Sequence, residues 1–440
     1  MQTLLPVFFL LACRETTLPE CQQGFTLGDD GDASRIVTLI DDSLEGPVVL
    51  QLVVPWEEAR YPHGAPGAVF IHGGWTNDVI PRQEDQAHLV GGTGAWAIYV
   101  NLPGGTSEMS SGGTDDNRGE NARRAIGAAL RYSAGMMKDN SECLMSERMP
   151  TGQAEERVLA AFSNGGNLAW ATLADLDVEL PRVHGIATFE TPASGQMALG
   201  EPGTGNRESP LHEEGACSIS DENALVCDYD YESLSFDPTI EPNTDGVLYL
   251  DSDSDGIYVD DIDFPFGFAR SEEDGLWVHS VQVLEAAESQ GLELTGRLDS
   301  RSTREFWSQR EAPRSMPAAA ARFPELAGIA IGTETDHVLE GATDHPHVIG
   351  MVEAMQTAGV SWTRLHPDHA YVYALAPTSK AYTDVEADLV LQIGDPDLPM
   401  EPDDDSEVRG SDYITAGTLE LLDRSWRDDW SPNLDAVLTD

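Results

Sequence analysis

The six residues Ala161–Gly166, with the sequence AFSNGG, constrain the fold of this chain more than any other segment. An apolar run precedes them, and the residues that follow have the pattern of a helix. A strand, a serine at a tight turn and a helix together form the layout of a nucleophile elbow, in which the turn lifts the serine hydroxyl clear of the sheet. Strand and helix pass close together there, so the positions two before and two after Ser163 must be small. Gly165 meets this demand and Ala161 approximates it; the alternative is a serine that caps a helix.

Strand patterns alternate with helix patterns on both sides of this serine. The apolar strand patterns are Val48–Pro55, Ala68–His72, Trp96–Leu102, Val183–Phe189, Leu326–Gly332 and Val360–Leu365. The helix patterns are Ala122–Leu130, Asp344–Gly359 and Ile414–Trp426, with a further one at Val278–Gln290. This alternation predicts an α/β fold with a mostly parallel central sheet flanked by helices. It lapses between about residues 192 and 323, which predicts an inserted lid.

Three features in one chain order carry a resemblance to a known family. The strand pattern that ends at His72 runs into His-Gly-Gly, Ser163 follows in the elbow, and Asp336 and a histidine at 366 or 369 come later. Serine, then acid, then histidine is the chain order of the α/β-hydrolase superfamily, which also places an HGG-type loop after an early strand. The chain therefore resembles an α/β-hydrolase over residues 48–194 and 324–380.

The resemblance implies a Ser-His-Asp triad with Ser163 as the nucleophile. A serine hydroxyl needs a general base to take its proton, and a carboxylate must orient that base. Asp336 is the expected acid, with Glu334 as the second choice. His369 is preferred over His366 as the base, because family members usually carry it in the loop beyond the last strand.

The same resemblance implies an oxyanion hole built from backbone N–H groups. One donor is expected from Asn164, which follows the nucleophile, and the other from Gly73 or Gly74. Glycines suit that loop because its backbone must approach the substrate. His72 is expected to order the loop rather than to act as the base.

The charge balance of the chain excludes several classes of partner. The 440 residues include 77 acidic and 25 basic side chains, for a net charge of −52. Such a surface repels nucleic acid and anionic lipid. The glycine clusters lack the G-x-G-x-x-G and G-x-x-x-x-G-K contexts, so no nucleotide or redox cofactor is expected for catalysis.

The N-terminus and the cysteines predict export. An apolar run leads to Leu-Leu-Ala-Cys13, which resembles a bacterial lipobox, in which the cysteine becomes the lipid-modified first residue of the mature protein. The protein is thus expected to be lipid-anchored at the cell envelope or secreted, with a membrane contact only through that anchor. Four other cysteines predict two disulfides, with Cys217–Cys227 as the favoured pair among three possible connectivities.

An acidic segment in the predicted lid resembles half of a calcium loop. Asp251, Asp253 and Asp255 alternate before a glycine, as in D-x-D-x-D-G, and Ca²⁺ prefers six to eight oxygen ligands. The full EF-hand pattern fails because position 12 is isoleucine. The predicted ligands of a structural Ca²⁺ are these three residues with Ile257 and Asp261. Asp260 and Asp263 are further residues able to close the shell, and the alternative is a solvated acidic turn.

These observations divide the chain into five predicted parts. They are a signal peptide at 1–12, a tether with leading strands at 13–47, the first part of the core at 48–194, the lid at 195–323 and the second part of the core at 324–440. The predicted function is an extracytoplasmic serine hydrolase that cleaves a small-molecule or lipid ester through an acyl-enzyme. The alternatives are a peptidase of the prolyl-oligopeptidase type and a non-catalytic, calcium-stabilised surface binding protein on a hydrolase scaffold.

Overall fold

A computed structural model provides the structure of this protein. It describes residues 19–27, 32–56, 61, 64–73, 94–107, 109–196, 203–204, 207–213, 215–240, 246–271, 275–331, 346–366, 410–428 and 430. Cys13, Gly74, Glu334, Asp336 and His369 lie outside these residues.

The main sheet contains nine strands within the described part of the chain. In chain order they are β1 (Thr26–Leu27), β2 (Asp32–Leu39), β3 (Val48–Pro55), β4 (Ala65–Ile71), β5 (Trp96–Val100), β6 (Gln153–Phe162), β7 (Gly185–Phe189), β17 (Ala327–Ile331) and β18 (Trp362–His366). The labels β8 to β16 belong to short strands in the segment between β7 and β17, whose bounds are given below.

The order of the strands in the sheet is β1-β2-β3-β5-β4-β6-β7-β17-β18. From β5 to β18 all neighbours are parallel, and β1, β2 and β3 add an antiparallel edge. Strands β4, β5, β7 and β17 are buried along their whole length, as expected for a parallel sheet that is covered on both faces. This arrangement confirms the predicted α/β-hydrolase fold with a mostly parallel sheet.

Helices cover the two faces of the sheet. They are α1 (Glu120–Ser133), α2 (Met145–Arg148), α3 (Asn164–Ala174), α4 (Val281–Ser289), α5 (Ser300–Ser308), α6 (Ala312–Arg322), α7 (Pro346–Thr357) and α8 (Gly410–Arg427), with a 3₁₀ turn at Glu20–Gln22. Side chains alternate along each strand, so Leu159 packs in the core under α1 and α3, whereas Val158 and Ala160 pack in the core under α8. Each face of β6 therefore meets its own helix layer.

The segment between β7 and β17 builds small antiparallel sheets and three of these helices. Its strands are β8 (Gly203–Thr204), β9 (Arg207–Glu208), β10 (Cys217–Ile219), β11 (Leu225–Cys227), β12 (Leu234–Asp237), β13 (Val247–Leu250), β14 (Phe264–Pro265), β15 (Ala269–Arg270) and β16 (Trp277–Val278). The predicted helix at 278–290 corresponds to α4, which begins after Ser280, whose hydroxyl accepts a hydrogen bond from the first turn. The last helix of the segment, α6, packs against α3 and α7.

Two disulfides link the described cysteines. Cys217 and Cys227 face each other across the β10–β11 hairpin, which confirms the predicted pair. Cys21 joins Cys143 across a sequence separation of 122 residues. Arg148, fully buried, donates to the carbonyl of Cys21 and to Asp139, so the second disulfide and an ion pair together attach the N-terminal segment to the core. No helix in the described ranges is long and apolar enough to cross a membrane.

Candidate active site

Ser163 lies at the apex between β6 and α3. Its backbone has φ 48° and ψ −134°, a strained conformation for a residue with a side chain. The strand ends at Phe162, the helix begins at Asn164, and the amide of Ser163 donates to the carbonyl of Phe189 at 2.8 Å. Ser163 occupies the N-cap position of α3, but its side chain makes no capping hydrogen bond to the helix.

The close approach expected at the elbow is present. A methyl carbon added at Gly165 would lie 2.9 Å from the carbonyl oxygen of Ile71 and 3.0 Å from the nitrogen of Gly73. Ala161 is fully buried and pairs with Ile71 in the sheet, so its methyl group fits where the usual pattern has glycine. The turn therefore requires glycine at position 165, whereas position 161 also accommodates alanine.

Gly73, one of the predicted oxyanion glycines, packs directly on the elbow. A methyl carbon at Gly73 would lie 2.6 Å from the carbonyl carbon of Asn164, and still closer to the nitrogen of Gly165 and the carbonyl oxygen of Phe162. The structure thus brings Gly73, Ser163 and Asn164 together. Just before this glycine, the ring of His72 stacks on that of Phe162 with a centroid distance of 5.9 Å.

The first turn of α3 is anchored by a residue that sequence reasoning missed. The side-chain nitrogen of Asn167 donates to the carbonyl of Pro192 at 3.1 Å and approaches the side-chain oxygen of Asn164 at 3.4 Å. Its oxygen accepts from the amide of Ala312 at 2.7 Å. Asn167 is buried, and it joins α3 to the loop after β7 and to the start of α6. The only sequence signal for Asn167 was a side-chain amide placed one helical turn after the elbow.

The strands that precede the predicted acid and base end at the same edge of the sheet as β6, the strand that Ser163 follows. β17 pairs with β7 and β18 pairs with β17, all parallel, so their carboxyl ends lie at the same edge of the sheet. The backbone of His366 ends β18 opposite Ile331. Asp336 and His369 lie outside the described residues, and their triad roles stay predictions.

A carboxylate that the sequence did not single out lies next to Ser163. Glu190 follows β7 directly, and β7 is the neighbour of β6, so Glu190 and Ser163 occupy adjacent positions at the sheet edge. Its amide donates to the carbonyl of Ile331 at 2.8 Å, and its φ of 47° places it in the left-handed region. Only the register of the sheet reveals this position.

Behind the elbow lies a buried polar network. The carboxylate of Glu311 accepts from the hydroxyl of Ser194 at 2.6 Å, and the amide of Ser194 donates to Nδ1 of His347 at 3.5 Å. Burial raises the pKa of Glu311 and lowers the pKa of His347 to about 3. A fully buried, neutral imidazole that accepts from backbone is a structural group, not a candidate base.

The acidic segment folds into a loop that differs from the predicted ligand set. Asp251, Asp253 and Asp263 bring carboxylate oxygens within 4.8 Å of one another, and Asp255 and Asp261 are not in this group. Asp251 accepts from the amides at 255 and 256, and Asp263 accepts from those at 252 and 259. These hydrogen bonds wrap the loop around the two buried carboxylates. Ile257 is 59% exposed, and its amide donates to the carboxylate of Asp255 at 2.8 Å.

Comparison with known proteins gives only distant similarities. No protein-family model matches the chain, and no curated protein matches it. Carboxyl esterase 2 from the mycorrhizal fungus Tuber melanosporum is similar at 13% identity, covering 94% of this chain and 93% of that chain, with a TM-score of 0.41. A thermostable esterase from Pseudomonas putida ECU1011 is similar at 14% identity, covering 91% and 86%, with a TM-score of 0.42. Brefeldin A esterase, a bacterial homologue of human hormone-sensitive lipase, is similar at 13% identity over 79% and 72%, with a TM-score of 0.35. The fold assignment rests on the strand order and the elbow, not on these similarities.

Proposed function

We propose that this protein is a serine hydrolase that cleaves carboxylic esters through an acyl-enzyme. The observation that carries the proposal is the strained backbone of Ser163, at φ 48° between β6 and α3, with Gly73 packed against the same turn. Strain of this kind is retained where function requires it. The serine hydroxyl makes no capping hydrogen bond, and Gly73 packs against the backbone on both sides of Ser163.

In the proposed reaction, Ser163 Oγ attacks the ester carbonyl carbon while His369, or alternatively His366, takes its proton. The carbonyl oxygen becomes an oxyanion, stabilised by the N–H of Asn164 and by that of Gly73 or Gly74. Each such donor typically lowers the barrier by about 3–4 kcal/mol. The tetrahedral intermediate collapses to the acyl-serine, and the histidine gives its proton to the departing alcohol. Water then attacks the acyl-serine by the same route in reverse and releases the carboxylic acid.

We assign Asp336 as the acid that orients the histidine, and Glu190 is the alternative. Both follow strands that end at the edge of the sheet carrying Ser163. Replacement of a triad carboxylate by its amide typically lowers kcat about 10⁴-fold. Asp336→Asn is expected to show a loss of that size, while Glu190→Gln keeps kcat within tenfold of the wild type. The reverse pattern would move the acid to Glu190.

The direct test compares ester and amide turnover in the wild type and in Ser163→Ala. We expect p-nitrophenyl acetate and butyrate to be hydrolysed by the wild type and not by the variant, with little turnover of aminoacyl p-nitroanilides. Preferred cleavage of the anilides would favour the prolyl-oligopeptidase-type alternative. Equal rates for folded wild type and Ser163→Ala would contradict the hydrolase and favour a binding protein on this scaffold.

We further propose that the loop of Asp251, Asp253 and Asp263 holds a structural Ca²⁺. Hard carboxylate oxygens within 4.8 Å of one another support this, and each ionised carboxylate keeps lone pairs beyond its backbone hydrogen bonds. Addition of Ca²⁺ is expected to raise the melting temperature of the wild type but not of Asp263→Asn. Equal shifts in the two proteins would refute the site.

We also propose that the protein is exported and lipid-anchored at Cys13. Two disulfides support an oxidising compartment. Metabolic labelling with a palmitate analogue is expected to mark the wild type and to leave Cys13→Ser unlabelled. Incorporation into both proteins would contradict lipidation at Cys13.

A further inference from the structure

Two consecutive residues before α1 adopt left-handed backbone without being glycine. Asn117 has φ 48° and Arg118 has φ 65°. Asparagine tolerates this region, but a residue with a long side chain enters it at a cost and stays there only when its surroundings hold it. The pair therefore requires a structural reason.

Local and long-range hydrogen bonds hold this strained turn. The Asp115 carboxylate accepts from the amide of Asn117 at 2.8 Å, and the Asp116 carboxylate accepts from the amide of Gly119 at 2.8 Å. In addition, Arg310 donates to the carbonyl of Asn117 at 2.8 Å and to that of Asp116 at 2.7 Å. The turn is thus fixed by contacts from its own aspartates and from a residue almost two hundred positions away.

The result of this conformation is the placement of the Arg118 guanidinium against the glycine loop. Its Nη2 donates to the carbonyl oxygen of Gly73, and its Nη1 donates to the side-chain oxygen of Asn117 at 3.1 Å. Arginine remains charged in proteins, and a hydrogen bond from a charged donor is stronger than a neutral one. A half-buried cation therefore holds one carbonyl of the loop that touches the elbow.

We propose that Arg118 is a positioning residue for the oxyanion loop. The inference rests on the proposed hydrolase function. A trans peptide unit is planar, so the direction of the Gly73 carbonyl determines the direction of the amide hydrogen that follows it. Glycine backbone rotates with little steric resistance, and the arginine supplies the restraint that glycine itself does not provide. Through the Gly73 carbonyl, Arg118 thereby keeps the amide donor that follows it in the orientation needed when the oxyanion forms.

This role predicts a kinetic pattern that general destabilisation does not produce. The oxyanion exists in the transition state and not in the bound ester, so a misoriented donor lowers kcat and leaves KM nearly unchanged. We expect kcat to fall about 10²- to 10³-fold in Arg118→Gln and Arg118→Ala, the range for loss of one oxyanion donor. KM is expected to stay within threefold of the wild type. Arg118→Lys keeps the charge with a shorter reach, so its kcat is expected to lie between that of the wild type and that of Arg118→Gln.

The experiment measures p-nitrophenyl ester kinetics for these variants, with Arg124→Gln as the matched control. Arg124 lies nearby on α1, is partly exposed, and pairs with Glu120 on the same helix. The Arg124→Gln variant is expected to keep the kcat of the wild type. Guanidine hydrochloride at 50 mM, below denaturing concentrations, is expected to restore kcat of Arg118→Ala at least tenfold and to leave Arg118→Gln unchanged.

A transition-state mimic supplies the second readout. A trifluoromethyl ketone forms an oxyanion with the serine, so its affinity for Arg118→Gln and Arg118→Lys is expected to fall in proportion to kcat/KM. Unchanged kcat, or a loss of activity with no loss of ketone affinity and no guanidine rescue, would overturn the positioning role. If wild type and Ser163→Ala had equal activity, the proposed hydrolase function would fail instead, and the two failures are therefore distinguishable.

Discussion

Replacement of Gly73 by alanine tests whether the glycine loop must touch the elbow. The added methyl carbon would lie 2.6 Å from the carbonyl carbon of Asn164, and nearer still to the nitrogen of Gly165 and the carbonyl oxygen of Phe162. All three atoms belong to backbone that the strand and helix hold in place. No side chain can move aside to make room.

The size of the effect follows from these distances. Carbon atoms in contact lie about 3.5 Å apart, so the 2.6 Å approach to Asn164 requires the loop or the elbow to move by roughly 0.9 Å or more. A displacement of about 1 Å in a catalytic arrangement costs on the order of 10²-fold in rate. Overpacking in a rigid environment costs about 1–3 kcal/mol of stability. We therefore expect Gly73→Ala to lose at least about 10²-fold in kcat/KM while the protein stays folded.

The assay combines p-nitrophenyl butyrate kinetics with urea unfolding, and Gly185→Ala serves as the control. A methyl carbon at Gly185 would meet the flexible end of Leu421 at 3.1 Å, far from the elbow turn. The control is expected to keep wild-type kcat/KM with a stability change of about 1 kcal/mol or less. If folded Gly73→Ala retained kcat/KM within threefold of the wild type, contact between this loop and the elbow would not be required.

Three further predictions concern the base, the pH dependence and the disulfide. His369→Ala is expected to abolish ester turnover, and His366→Ala to leave measurable activity; the opposite result reassigns the base. Burial, with the nearby Arg297 guanidinium, lowers the pKa of His279 to about 3. The unfolded chain therefore binds a proton below pH 6.5 that the native state does not, and stability falls as the pH decreases, by about 1.4 kcal/mol per pH unit for this histidine. The slope of unfolding free energy against pH, measured with urea between pH 6 and 4.5, is expected to be shallower by that amount in His279→Gln, and an unchanged slope would contradict this. The double variant Cys21→Ser, Cys143→Ser opens a loop that spans 122 residues and is expected to lose about 2–5 kcal/mol of unfolding free energy in urea; a loss below about 1 kcal/mol would contradict this anchoring role.

Local sequence rules predicted the elements that depend on local chemistry. The AFSNGG turn, the buried strands and the Cys217–Cys227 hairpin are each specified by neighbouring residues, through small side chains, apolar runs and a short loop. The tolerance of Ala161 could not be predicted, because it depends on the space between two strands paired in the folded sheet.

The parts that were missed depend on contacts between distant segments. Arg118 contacts Gly73, which lies 45 positions earlier in the chain, because Asn117 and Arg118 adopt left-handed backbone. Neither residue is a glycine, so this turn could not be predicted from the sequence. Glu190 lies beside Ser163 only because β6 and β7 are neighbours in the sheet. Asp263 joins the acidic loop instead of Asp261 because its buried carboxylate accepts two backbone amides of the same loop. Spacing along a chain does not encode such pairings.

Covalent labelling of Ser163 tests the central claim most directly. A fluorophosphonate phosphonylates an activated serine and leaves an unactivated one unmodified, so intact-mass spectrometry followed by peptide mapping reports both stoichiometry and position. The account predicts one adduct per wild-type molecule, located on Ser163, and none on folded Ser163→Ala. An unmodified wild type, or an equal adduct on the alanine variant, would contradict the assignment of Ser163 as the nucleophile.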